Sequence, residues 1–140
     1  GRFYEEGGVV IANRYTTSRA VHQAAKRPAG EREVYLEWLF DLECRRLGLP
    51  EPDMVIYLDL PSEVSEELLR RREAETGAKA DIHEQDALYL RQCRESARDI
   101  ARSLGWRILH CADGLALHTP EAIHSQVWEL VQPLLGREKA

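Results

Sequence analysis

Val9-Val10-Ile11-Ala12-Asn13-Arg14-Tyr15-Thr16-Thr17-Ser18-Arg19-Ala20-Val21-His22-Gln23 decides how this chain is read. Four apolar residues stop abruptly at Asn-Arg-Tyr. A hydroxyl cluster follows, then a helix-like stretch ending in His-Gln. A buried parallel strand looks like this where it leaves its sheet and hands over to a helix. In open α/β sheets ligands sit just outside the carboxyl ends of the strands. An arginine at that place can grip a phosphate with its planar fork. The plainer reading is a surface arginine beside a buried tyrosine at a strand end.

Working outward, two more short runs rich in β-branched residues, 54–60 and 106–110, join 8–12 as expected strands. Helical patterns lie between them. Residues 31–47 carry Tyr35, Leu39 and Leu42 on one face, with Gly48 and Pro50 as the stop. Ser62 is the expected N-cap of a helix running through Leu68 and Leu69. Residues 85–104 place Leu90, Cys93, Ala97, Ile100 and Leu104 at helical spacing before Gly105. Thr119-Pro120 signals the cap and first turn of a last helix through Leu135. Strands alternating with helices predict an α/β fold, with a parallel sheet and helices on both faces.

At 140 residues one domain is expected. A formal charge of −5 argues against a general nucleic-acid binder. Cys44, Cys93 and Cys111 are far apart and odd in number, which predicts a reducing cytoplasm. No stretch approaches the roughly 20 apolar residues that cross a bilayer. His110, Cys111, His118 and His124 have no metal-ligand spacing, and no metal-binding residues are expected. Arg91, Arg94, Arg98 and Arg102, interleaved with Glu95 and Asp99, read as a solvated helix face. Trp38 and Trp128 read as core or dimer-contact residues.

The order Asn13-Arg14-Tyr15, Ser18, Ala20-Val21-His22-Gln23 resembles thymidylate kinases, whose strand ends in Asp-Arg-Tyr or Asp-Arg-His before a serine and Ala-Tyr-Gln. Pro52-Asp53-Met54-Val55-Ile56-Tyr57-Leu58-Asp59-Leu60-Pro61 is similar to a second diagnostic stretch, in which Pro-Asp opens a strand and Asp-x-Pro closes it. The resemblance covers roughly the latter two thirds of such an enzyme. No G-x-x-x-x-G-K-[ST] occurs, and the nearest candidate, Thr76-Gly77-Ala78-Lys79, has one glycine. The expectation is therefore a three-layer P-loop-kinase-like fold without its central P-loop strand. The span should be incomplete and inactive alone.

The resemblance implies phosphoryl transfer from ATP to dTMP with magnesium, giving dTDP, by a homodimer. In it Arg14 holds the acceptor phosphate. The acid that would help organise magnesium is here Asn13, which can hold a metal-bound water but adds no negative charge. Tyr15, Ser18, Arg19, His22 and Gln23 would lie over the acceptor nucleoside, Arg19 and His22 standing where the family contacts base and deoxyribose. Residues 70–86 would form a basic lid, with Arg72 or Lys79 supplying the cation, and Asp81 and Glu84 matching Asp-x-x-Glu. A solvated helix end is the plainer reading of that run. Cys111, Ala112 and Asp113 would border the donor's adenine, or form an ordinary turn. The alternatives in function are a non-catalytic nucleotide-binding or interaction module, and a related kinase for another phosphorylated acceptor.

Overall fold

The computed structural model describes residues 2–77 and 87–135. Its elements run α1 (Arg2–Glu5), α2 (Thr16–Ala25), α3 (Ala29–Phe40), a π-helical turn (Asp41–Arg46), β1 (Ile56–Asp59), α4 (Ser62–Thr76) and α5 (Ala87–Ser103). Then follow β2 (Arg107–His110), β3 (Ala112–Asp113), β4 (Ala116–Leu117), α6 (Pro120–Val131) and a 3-10 turn (Gln132–Leu134). The architecture is α/β with a small parallel sheet.

β1 and β2 pair in parallel, with Ile56 opposite Arg107 and Asp59 opposite His110. Arg107 N–H donates to the Val55 carbonyl and Cys111 N–H to the Asp59 carbonyl, so the ladder continues past both strand ends. Parallel neighbours require a long crossover, and α4 with α5 supplies it. Gly105, at φ +67°, lets the chain reverse out of α5 into β2. The Trp106 N–H then donates back to the Ala101 carbonyl at 2.8 Å.

The core sits where α2, α3 and α5 meet. Ala20 and Ala24 on α2 and Ala101 on α5 are fully buried, and Ala97 on α5 nearly so. Small side chains at spacing four let the two helices approach closely. Leu36, Leu39 and Ile100 fill the space between, with Tyr35, Phe40 and Trp106 at its margin. Each large aliphatic so buried contributes about 1.5–3 kcal/mol.

Four expectations need correction. Residues 8–12 do not form a strand. Val9, Val10 and Ile11 are exposed, Ile11 at 90%. A strand exists through its ladder, and among the described strands β1 and β2 pair only with each other. Ser62 is not the cap of α4 but its first residue, buried, because Pro61 occupies the cap with extended geometry. The helix expected over 31–47 changes pitch at Asp41, where Leu47 N–H reaches back five residues to the Leu42 carbonyl. Finally, Arg94 and Arg98 leave the solvated face and turn toward β1. Thr119 caps α6 as its sequence predicts, accepting from Ala122 N–H at 3.2 Å.

Candidate functional site

The turn from residue 13 to α2 carries the first group of candidates. Asn13 and Arg14 are exposed. Arg14 is the one non-glycine residue with positive φ, +65°, among the described residues. An L-residue held there costs about 1–3 kcal/mol, and such residues cluster at functional sites. Tyr15 anchors the turn: its hydroxyl donates to the Pro50 carbonyl at 3.1 Å, tying it to the loop before β1. The Ser18 N–H donates to the Tyr15 carbonyl as α2 begins. Thr16 is buried, and its Oγ1 has no partner among the described residues.

Along α2 the candidates diverge. Arg19 is exposed and donates from Nη1 to Glu43 Oε1 at 3.2 Å. His22 is half-buried, its Nδ1 3.9 Å from the Cys93 sulfur on α5. Gln23 is exposed. Positions 13, 14, 18, 19 and 22 thus lie on one short arc of chain. Arg72 sits exposed on α4. Lys79, Asp81 and Glu84 lie outside the described residues.

A second cluster forms at the carboxyl ends of β1 and β2, and the sequence reading missed it. The Asp59 carboxylate is buried. Arg94 donates to it twice, from Nε at 2.9 Å and Nη2 at 3.3 Å. Arg98 Nε stands 3.7 Å away and His110 Nδ1 3.3 Å. Burial pushes the carboxyl up, but the Arg94 hydrogen bonds and charge, the Arg98 charge and the His110 hydrogen bond outweigh it. The group titrates below its ordinary value. Tyr57, two residues earlier on the strand, is pushed up to about 12, first by burial and then by the Asp59 charge. The missed signal was Asp59 itself. An acid closing an apolar strand must find a partner once desolvated, and Arg94 and Arg98 are one helical turn apart.

Beyond β2, Cys111 is buried, its thiol 3.6 Å from the Leu109 carbonyl. Burial raises its pKa, and Asp59 adds to the effect. Asp113 is exposed in the β3–β4 hairpin and lies 3.0 Å from His118 Nε2. A groove of about 650 Å³ opens at the amino ends of β1 and β2, lined by Phe40, Met54, Val55, Trp106 and Leu130 among others. It lies away from the carboxyl ends, where α/β ligands bind.

A magnesium ion needs oxygen donors of suitable charge. Among the described residues no three His, Cys, Asp or Glu converge as a metal-binding group. Asn13 is neutral, and both Asp59 oxygens are engaged by Arg94. The described side chains do not fit the ion.

A protein-family model described as "Thymidylate kinase" matches residues 2–119. A probable thymidylate kinase of Thermococcus kodakarensis is 32% identical over 137 residues, covering 96% of this chain and 57% of that protein. A thymidylate kinase of Thermomicrobium roseum is 29% identical over 138 residues, covering 95% of this chain and 58% of its own. One from Mycobacterium tuberculosis is 35% identical over 80 residues, covering 56% and 37%. The chain therefore spans a little more than half the length of the relatives it matches nearly throughout. No solved structure matches it. With the family match covering most of its length, the chain belongs to the thymidylate kinase family.

Proposed function

We propose that the chain supplies the acceptor side of a nucleoside monophosphate kinase that converts dTMP to dTDP with ATP as donor. The observation that carries this reading is Arg14. It is exposed, held at φ +65°, and makes no ion pair with a described residue, at the point where the chain enters α2. A strained cation with no ion-pair partner among the described residues suits an incoming dianion. In this reading Arg14 grips the dTMP phosphate while Tyr15, pinned to Pro50, fixes the turn. Asn13, Ser18, Arg19, His22 and Gln23 border the nucleoside. A phosphate oxygen of dTMP forms the new bond to the γ-phosphorus, and the bond to ADP breaks. Such transfers need positioning and positive charge. In the same reading residues 70–86 act as the lid, Arg72 or Lys79 supplies the cation, and Asp81 and Glu84 match the family's Asp-x-x-Glu. Cys111, Ala112 and Asp113 border the adenine.

The same reading includes a three-layer P-loop-kinase-like fold, a parallel sheet with helices on both faces, whose central P-loop strand these residues do not supply. The 140 residues contain no Gly-rich Lys-Ser/Thr loop, so by themselves they are expected to transfer no phosphoryl group. We also propose a homodimer. Val34 and Trp38 lie one turn apart on α3 and are 68% and 57% exposed, an apolar pair suited to a second copy. A cytoplasmic setting fits the three unbridged cysteines. No helix among the described residues is long and apolar enough to cross a membrane.

The neutral Asn13 favours a second reading, a nucleotide-binding module without catalysis. Incubating the full-length protein with ATP, magnesium and dTMP separates the two. Formation of ADP and dTDP in equal amounts is expected. Tight dTMP binding without turnover would favour the module, and neither binding nor turnover would reject both.

A further inference from the structure

A buried cysteine is ordinarily a small apolar core residue and inert. Cys93, 7% exposed on α5, departs from that in its surroundings. Its sulfur lies 3.9 Å from His22 Nδ1 on α2. One turn back on α5, Tyr89 hydrogen-bonds with it. That bond, then burial and the Cys93 charge, push the Tyr89 phenol up to about 12, so it stays a donor. One turn along from His22, Lys26 Nζ stands 5.9 Å from the Tyr89 ring centroid. Two rungs, His22–Cys93 and Lys26–Tyr89, therefore cross the seam between α2 and α5. His22 and Tyr89 are half-buried and Lys26 is exposed, so this edge of the seam reaches solvent. A thiolate is favoured by a proton acceptor, a hydrogen-bond donor and nearby positive charge, and the cluster holds all three. The other thiols lack such company. Cys111 is buried against the Leu109 carbonyl. Cys44 is more exposed, but burial, Glu51 and Glu43 raise its pKa. Exposure alone ranks Cys44 as the most reactive of the three, and the chemistry around the sulfur ranks Cys93 first.

We propose that Cys93 is a modification site for small hydroperoxides, with His22 as its proton acceptor, and that its oxidation loosens α2. His22 Nδ1 takes the thiol proton. The imidazolium so formed sits in the last turn of α2, where a helix end favours a cation. The sulfur attacks one peroxide oxygen, an S–O bond forms and the O–O bond breaks. Hydroxide leaves and takes the proton from His22 as water. The thiol is oxidised to a sulfenic acid and the peroxide is reduced, and excess dithiol reverses the change. The product carries one more oxygen atom at a seam where Ala20, Ala24, Ala97 and Ala101 are 0–2% exposed. An added atom in so close a contact forces the backbones apart. Ser18, Arg19, His22 and Gln23 all ride on α2, so the shift disturbs the candidate acceptor site. That last step rests on the acceptor reading of residues 13–23, and the thiol chemistry does not.

The test treats full-length protein with hydrogen peroxide and traps sulfenic acid with dimedone. Peptide mass spectrometry then follows each cysteine over time. Cys93 is expected to be labelled on the order of tenfold faster than Cys44 or Cys111, a base's contribution reduced by partial burial. His22→Gln should remove that advantage, and His22→Asn replaces it if the first variant fails to fold. Cys44 reacting first in the unmodified protein, or a Cys93 rate indifferent to both His22 variants, would overturn the site. A second measurement is calorimetric dTMP affinity before and after peroxide. Oxidation should weaken binding by on the order of tenfold, the scale of overpacking by one atom, and dithiol should restore it. Cys93→Ala, or Cys93→Val if the cavity proves disruptive, should bind dTMP normally and ignore peroxide. Labelling of Cys93 with unchanged dTMP affinity would overturn the link to α2. Absence of dTMP binding before any treatment would reject the acceptor reading, while the labelling rates would still decide the thiol site.

Discussion

Asp59 shows at the residue scale how a charge is accommodated beside an apolar strand. Its carboxylate gives up hydration and gains Arg94 in a two-point contact, with Arg98 and His110 close by. Removing one member of a buried pair strands the other. Arg94 and Arg98 are partly exposed, so water softens the loss. Asp59→Asn is expected to lower stability by about 2–4 kcal/mol in urea unfolding. A loss under about 0.5 kcal/mol would show that the network is decorative. The pH dependence has a definite sign. The folded carboxyl titrates below its ordinary value. Its stabilisation is therefore complete above the unfolded value of about 3.9 and fades as pH falls through the lower folded value. The stability difference between wild type and Asp59→Asn should shrink below about pH 4. A gap that widens on acidification would contradict this account. None of the pairing was evident from the helix pattern alone. Alternating arginines and acids on α5 look solvated until the strand they face is known.

At the scale of elements, local signals held where local chemistry decides. Thr119 before Pro120 caps α6 through its own side chain, so Thr119→Ala should cost about 1 kcal/mol in unfolding experiments. An unchanged midpoint would show that the cap is made by other groups. Gly105 ends α5 for a reason legible in sequence, its freedom at positive φ. The π-turn at Asp41–Arg46 was not legible, because Leu42 and its neighbours keep an ordinary helical pattern. The end of α4 is charged and largely exposed around Arg70, Arg71 and Arg72. Its amides should exchange faster than those of β1. Equal protection in hydrogen exchange would count against a lid that begins there.

Across the whole molecule, the α/β class and two of the three expected strands were readable from short apolar runs between helical patterns. The third, 8–12, failed because composition reports a preference to be buried while pairing needs a neighbour. Leu58 on β1 is also half exposed, with Val9, Val10 and Ile11 more so. The candidate site was legible at Asn13 to Gln23 because its residues are contiguous. The Arg19–Glu43 pair spans 24 positions and no local pattern marks it. Trp38→Glu is expected to weaken self-association of the full-length protein in sedimentation, and an unchanged oligomer would remove α3 from the contact. The central claim is that Arg14 receives an acceptor phosphate. Calorimetric titration of the full-length protein with dTMP, wild type against Arg14→Ala, tests it most directly. A charge-assisted contact is worth about 1.5–3 kcal/mol, so the variant should bind at least about tenfold more weakly while melting at or above the wild-type temperature. Equal affinity in the two proteins, or no dTMP binding by either, would contradict the account.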